Sequence, residues 1–159
     1  MCIRDSSGAT GSKAHTIHRS LYRPRVGNGG TATFVLANNN LKNTTFIVDE
    51  AGLVGTTTDS TLGGNALIED LITFVFADPS NNLILVGDPA QLPPIGQPHS
   101  PALLTDFFVK NLAINATGHT LRQVVRQALD SHILKNATAL RTELNRIVQM
   151  TPLLNLGKT

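Results

Sequence analysis

The chain has 159 residues, 41% hydrophobic and 15% charged, with a formal net charge of +2 and a single cysteine. This length supports one domain with a real core, and no apolar run approaches the roughly 20 residues that cross a bilayer, so the expectation is a soluble, cytoplasmic-type protein with no membrane partner. With Cys2 alone, a disulfide or a thiolate metal site within the chain is excluded.

The charge is unevenly spread along the sequence. Between Ser6 and Val48 the ionised residues are Lys13, Arg19, Arg23, Arg25 and Lys42, all basic. From Asp49 to Asp106 they are Asp49, Glu50, Asp59, Glu69, Asp70, Asp78, Asp88 and Asp106, all acidic. Lysine and arginine dominate again after Phe107. Basic flanks around an acidic centre suit a protein that meets phosphates on one surface and holds a metal ion elsewhere; solvated faces that happen to segregate are the alternative.

Taken in order, residues 1–6 (Met1-Cys2-Ile3-Arg4-Asp5-Ser6) resemble the translation of a transposase adapter used in sequencing libraries and are set aside, and the expectation that follows is a fragment of a longer gene product. Residues 7–13 carry Gly8, Gly11 and Lys13 but fail the phosphate-loop pattern, because Ser12 separates Gly11 from Lys13 and Ala14 follows. Gly157-Lys158-Thr159 fails as well, since Pro152 stands where the first glycine is required. Residues 13–22 predict a turn and a short helix stopped by Pro24, with Thr16, His18 and Arg19 as candidates for nucleic-acid backbone contacts. Residues 33–36 predict a short strand in an excursion between turn-rich segments. Tyr22 and Phe34 are the candidates for base stacking in a chain poor in aromatics, although core packing suits Phe34 better.

Residues 45–48 form a short apolar run ending in Asp49-Glu50, which predicts a buried strand carrying two carboxylates to a sheet edge, either for chemistry or as a cap on the next segment. A Gly/Thr-rich loop follows over residues 55–64. Residues 65–77 predict a helix from Leu67, Ile68, Leu71, Ile72, Val75 and Phe76, and residues 83–86 a second apolar strand closed by Gly87-Asp88. Strand, helix, strand is the signature of an α/β fold with a mostly parallel sheet flanked by helices, covered on both faces. Ligands of such sheets lie beyond the carboxyl ends of the strands, so Asp49-Glu50 and the loop from Gly87 through Gly96, with Gln91 in it, should open onto one crevice. Residues 100–109 predict a further short helix. A strand with Arg122 and Arg126 behind it is expected near residue 120, then a helix capped by Asp130 or Ser131 that packs Ile133, Ala137, Leu140, Leu144 and Ile147 on one face.

Three strings in order, Phe46-Ile47-Val48-Asp49-Glu50-Ala51, Leu85-Val86-Gly87-Asp88-Pro89-Ala90-Gln91-Leu92-Pro93-Pro94 and Leu121-Arg122-Gln123-Val124-Val125-Arg126-Gln127, resemble superfamily 1 DNA helicases of the RecD-like branch. Thr16-Ile17-His18-Arg19 is similar to a segment of that branch as well. The resemblance implies a partial RecA-like P-loop NTPase motor domain over residues 7–118 and, over residues 119–159, a junction segment leading toward a second motor domain. It implies ATP and Mg²⁺ as cofactors, Asp49 on the Mg²⁺, Asp88 beside it, Glu50 activating the attacking water, Gln91 sensing the γ-phosphate and Arg126 stabilising the charge that develops there. Single-stranded DNA or a duplex junction is the partner it implies, with five-prime to three-prime movement. The phosphate-loop lysine is missing from these residues, so this chain alone is expected neither to hydrolyse ATP nor to unwind DNA. A non-catalytic module that binds nucleic acid or a partner protein, and another P-loop nucleotidase with a dispensable Gln91, are the alternatives.

Overall fold

A computed structural model describes residues 14–26, 32–58, 64–121 and 132–144. The chain divides into two units, Met1–Thr117 and Gly118–Thr159.

In the first unit, α1 spans Ile17–Leu21, with the Thr16 hydroxyl accepting the Arg19 N–H (3.3 Å) as its N-cap. The helix ends before Arg23, whose place in front of Pro24 disfavours helical backbone. The chain then extends as β1, Tyr22–Val26, a strand not expected from the sequence. It pairs antiparallel with β2, Ala32–Leu36, and places Pro24 opposite Phe34. A proline is tolerated here because a two-stranded ribbon is all edge. The Arg23 guanidinium turns back and donates to the carbonyls of Arg19 (2.8 Å) and Tyr22 (2.9 Å), closing the end of α1.

Tyr22 is buried, and its hydroxyl donates to Asp70 Oδ2 at 2.7 Å, while Asn65 Nδ2 donates to Asp70 Oδ1 at 3.0 Å. It is therefore no stacking platform. Phe34, which was expected in the core, is 40% exposed on β2. A carboxylate in the interior is stable only with its donors in place, so Tyr22→Phe should lower the unfolding free energy by about 1–3 kcal/mol. Urea denaturation measures this, and an unchanged midpoint would mean that the pair does not hold β1 to the core.

β3, Thr45–Val48, and β4, Asn82–Leu85, pair in parallel, with Ile47 beside Ile84 and Val48 beside Leu85. Between them in sequence lies α2, Leu67–Val75, which buries Ile68, Leu71 and Val75 in one core with Val48, while Phe46, Leu83 and Leu85 pack against it. Asn81 is 3% exposed and fully employed. Its amide donates to the Leu41 and Val75 carbonyls (2.9 Å each) and its carbonyl accepts the Thr44 N–H (3.0 Å), tying the end of α2 to the start of β3.

The parallel strand-helix-strand unit is as expected, but two features of the sheet are corrected. Among the described residues the strands form two separate pairs, and only β3–β4 is parallel. The β3–β4 pair is covered on one face: Ile47 is 56% exposed, and Ile84 47%. A run of apolar residues does not by itself reveal whether both faces have neighbours.

The predicted helix over residues 100–109 is broken. A 3-10 turn, Pro101–Leu103, is followed by α3, Thr105–Leu112, with Leu104 extended between them. In the second unit, α4 spans His132–Leu144. Its Ile133, Ala137 and Leu140 are exposed, so the packed face expected from their spacing is not formed by these three. The proposed caps Asp130 and Ser131 lie outside the described residues. Among the described residues no helix is long and apolar enough to cross a membrane.

Candidate functional site

The carboxyl ends of β3 and β4 stay joined beyond the regular ladder. Val86 N–H donates to the Val48 carbonyl (2.9 Å), and the Val86 carbonyl accepts from Ala51 N–H (2.8 Å). In an unbroken parallel ladder the second donor would be Glu50. One extra residue has been inserted, so Asp49 and Glu50 together oppose Val86, which is the arrangement of a β-bulge. Both acids are exposed there.

Glu50 adopts the left-handed conformation (φ 55°, ψ 35°). For a residue with a Cβ this costs about 1–2 kcal/mol. The surroundings enforce it: Glu50 N–H donates to Asp49 Oδ1 (2.9 Å), the Glu50 carbonyl accepts from Leu53 N–H (3.2 Å), and Ala51 is held by Val86. Glu50 is the N-cap residue of the 3-10 turn Ala51–Leu53, yet its side chain makes no capping bond. The cap alternative therefore fails for Glu50, and its carboxylate is left directed to solvent at a strained bulge.

On the neighbouring strand end, Asp88 Oδ1 accepts the Ala90 N–H (2.9 Å) and the Asp88 carbonyl accepts the Gln91 N–H (3.1 Å), so the loop turns sharply and presents Gln91 to solvent. The two strand ends touch through glycines. A Cβ on Gly87 would lie 3.0 Å from the Gly52 nitrogen and 3.0 and 3.1 Å from the Leu103 methyls. Asp49-Glu50 and Asp88-Gln91 thus follow the neighbouring carboxyl ends of two parallel strands.

Contacts the sequence did not reveal join the two loops further out. Gln97 Nε2 donates to Thr56 Oγ1 (2.9 Å) and Thr57 Oγ1 (3.2 Å), and a Cβ on Gly55 would lie 2.9 Å from Pro94 Cβ. The available signal was topological: loops that follow neighbouring parallel strands must pass close together.

The other candidates are placed as follows. Thr16 caps α1 with its hydroxyl, His18 is exposed with its ring 6.0 Å from that of Tyr22, and Arg19 is exposed. The basic flank is partly committed to structure. Arg23 closes α1, and Lys42 lies 3.5 Å from Asp78, whose carboxyl is held below its ordinary pKa first by the Ser80 hydroxyl and N–H and then by Lys42. Arg122 and Arg126 lie outside the described residues.

As for a metal, no group of three His, Cys, Asp or Glu converges among the described residues. The exposed Asp49 engages one oxygen with a backbone N–H. That leaves the other for a hard cation that keeps most of its waters, which is how Mg²⁺ is commonly held beside a nucleotide. The residues fit such a site and do not form a protein cage.

Acids and a polar loop thus gather at the carboxyl ends of a parallel pair, the place where ligands of open α/β sheets bind. Comparison with known families matches residues 4–151 to the AAA domain, and the chain belongs to that family, a P-loop AAA family found in superfamily 1 helicases. No curated protein and no solved structure matches the chain.

Proposed function

We propose that these residues form part of the ATP site of a superfamily 1 DNA helicase of the RecD-like branch, within a RecA-like motor domain. The observation that carries this reading is the bulge at Asp49-Glu50, where two exposed carboxylates, that of Glu50 making no capping bond to the following turn, stand beside the loop bearing Gln91. AAA membership supplies the nucleotide-hydrolysing class, and the Gly-Asp-Pro-Ala-Gln-Leu-Pro-Pro string supplies the likeness to helicases.

In this reading Asp49, with Asp88 nearby, holds Mg²⁺, which when bound neutralises charge on the β- and γ-phosphates. Glu50 orients the attacking water and accepts its proton. Gln91 meets the γ-phosphate and relays its presence to the strand-end loop and onward to DNA. Arg126 supplies positive charge as the phosphate transfers. Thr16, His18 and Arg19 contact the nucleic-acid backbone through N–H groups and side chains near α1.

The test uses a longer chain in which this segment is joined to a lysine-bearing phosphate loop. There, Gln91→Ala should leave DNA-stimulated ATP hydrolysis measurable while duplex unwinding per ATP falls severalfold. Unchanged unwinding would remove the helicase assignment and favour another P-loop nucleotidase. Residues 7–159 alone should show no DNA-stimulated ATP turnover, because no lysine-bearing phosphate loop lies in their sequence.

A further inference from the structure

We infer that Gln97 is a positioning residue that clasps the loop after Glu50 to the loop bearing Gln91, so that the two respond to a bound nucleotide as one body. The inference rests on the reading that Glu50 and Gln91 serve one nucleotide, and it assigns a role to a residue outside the motifs that suggested that reading.

Glu50 and Gln91 sit on different loops, both exposed, and each could shift by itself. At their bases the loops are held by the Ala51 to Val86 bond and by the close approach of Gly87 to Gly52. Farther out, where leverage is greatest, the Gln97 amide reaches across to the hydroxyls of both Thr56 and Thr57. The backbone of Gln97 is itself held in place, since its N–H donates to the Pro94 carbonyl (3.0 Å) and Gly96 adopts φ +77° to complete the turn. Pro93 and Pro94 stiffen the span between Gln91 and Gln97, since proline fixes its own φ. Gly55 lets the partner loop come close, because any Cβ there would strike Pro94 at 2.9 Å and Gln97 Nε2 at 3.0 Å. Two separate features, a paired hydrogen bond and a glycine contact, therefore seal the same joint. A displacement of Gln91 by a γ-phosphate would be carried through a proline-stiffened strap to the segment that follows the water-activating acid.

The experiment compares Gln97→Ala, Gln97→Glu and Gly55→Ala with the wild-type chain of 159 residues by residue-resolved amide hydrogen exchange. The reporters are hydrogen-bonded amides on both sides of the joint: Leu53 and Val54 on one loop, Gln91 and Gln97 on the other. Gln97→Ala and Gly55→Ala should each speed exchange on both sides about tenfold, with β3, β4 and α2 unaffected. Gln97→Glu, whose carboxylate accepts from the two threonine hydroxyls, should restore slow exchange. Acceleration confined to Gln91 and Gln97, or spread evenly through β3, β4 and α2, overturns the inference: the first shows independent loops, the second a general loss of stability. In the longer ATP-hydrolysing protein, Gln97→Ala should lower kcat with the KM for ATP unchanged, and a rise in KM alone also counts against it. If exchange responds as expected and ATP turnover is absent from the wild-type longer protein, the clasp stands and the helicase reading falls.

Discussion

Glu50→Gln, made in the ATP-hydrolysing protein, is expected to reduce kcat by roughly 10²–10⁴-fold, the usual contribution of a positioned general base, while nucleotide affinity stays near wild type. Glutamine preserves the shape and leaves the bulge intact, so the loss isolates proton acceptance from geometry. Steady-state turnover and equilibrium nucleotide binding, measured side by side, make the check; turnover within a few-fold of wild type would take the base role from Glu50. Glu50→Gly sharpens the contrast. It removes the carboxylate and also the cost of left-handed backbone, so turnover should be lost as completely while the thermal midpoint holds or rises. A residue whose removal kills activity without harming the fold is retained for chemistry.

The second large effect is expected at Gly87→Ala. The added methyl has no soft neighbour on one side, because its nearest atom is the Gly52 backbone nitrogen at 3.0 Å, with Leu103 closing the other side. Overpacking of this kind costs about 1–3 kcal/mol. Relief requires the β4 end to part from the turn after Glu50, so calorimetry should show a lower midpoint, and in a chain that also carries a phosphate loop ATP turnover should fall with it. Shortening Leu103 to alanine in the same chain should recover part of the stability, because it opens the flexible side of the clash and leaves the backbone side tight. No recovery would mean that the backbone contact alone sets the cost.

The parts of the fold legible in the sequence are those where hydrophobic spacing and covalent constraint agree. The spacing of residues 45–48, 65–77 and 83–86 predicts a strand, a helix and a strand, and the structure forms them at 45–48, 67–75 and 82–85, with parallel pairing that brings Asp49-Glu50 and Asp88-Gln91 to neighbouring strand ends. What stayed hidden depends on tertiary neighbours. The strand containing Pro24 was obscured because a proline looks like a stop signal until an edge position makes it harmless. Tyr22 looked like an aromatic available for bases, whereas Asp70, 48 residues away, takes its hydroxyl. The bulge at Glu50 leaves no local trace, since the register slip exists only relative to Val86. Gln97 carries no local signal, because its partners, Thr56 and Thr57, are 41 and 40 residues distant in a loop that reads as plain Gly/Thr linker.

The one-sided cover of the β3–β4 pair bears on how this chain behaves in a test tube. Ile47 and Ile84 sit side by side on the bare face, Val86 is 42% exposed beyond them, and the described residues supply no third strand to either edge. Such a surface pairs readily with its own kind, through apolar contact across the face and through unmatched backbone groups along the edges. Preparations of the isolated segment should therefore show concentration-dependent scattering that a charged substitution at Ile84, on the bare side, suppresses without unfolding the α2 core. For handling, colloidal behaviour rather than thermal melting will set the working concentration.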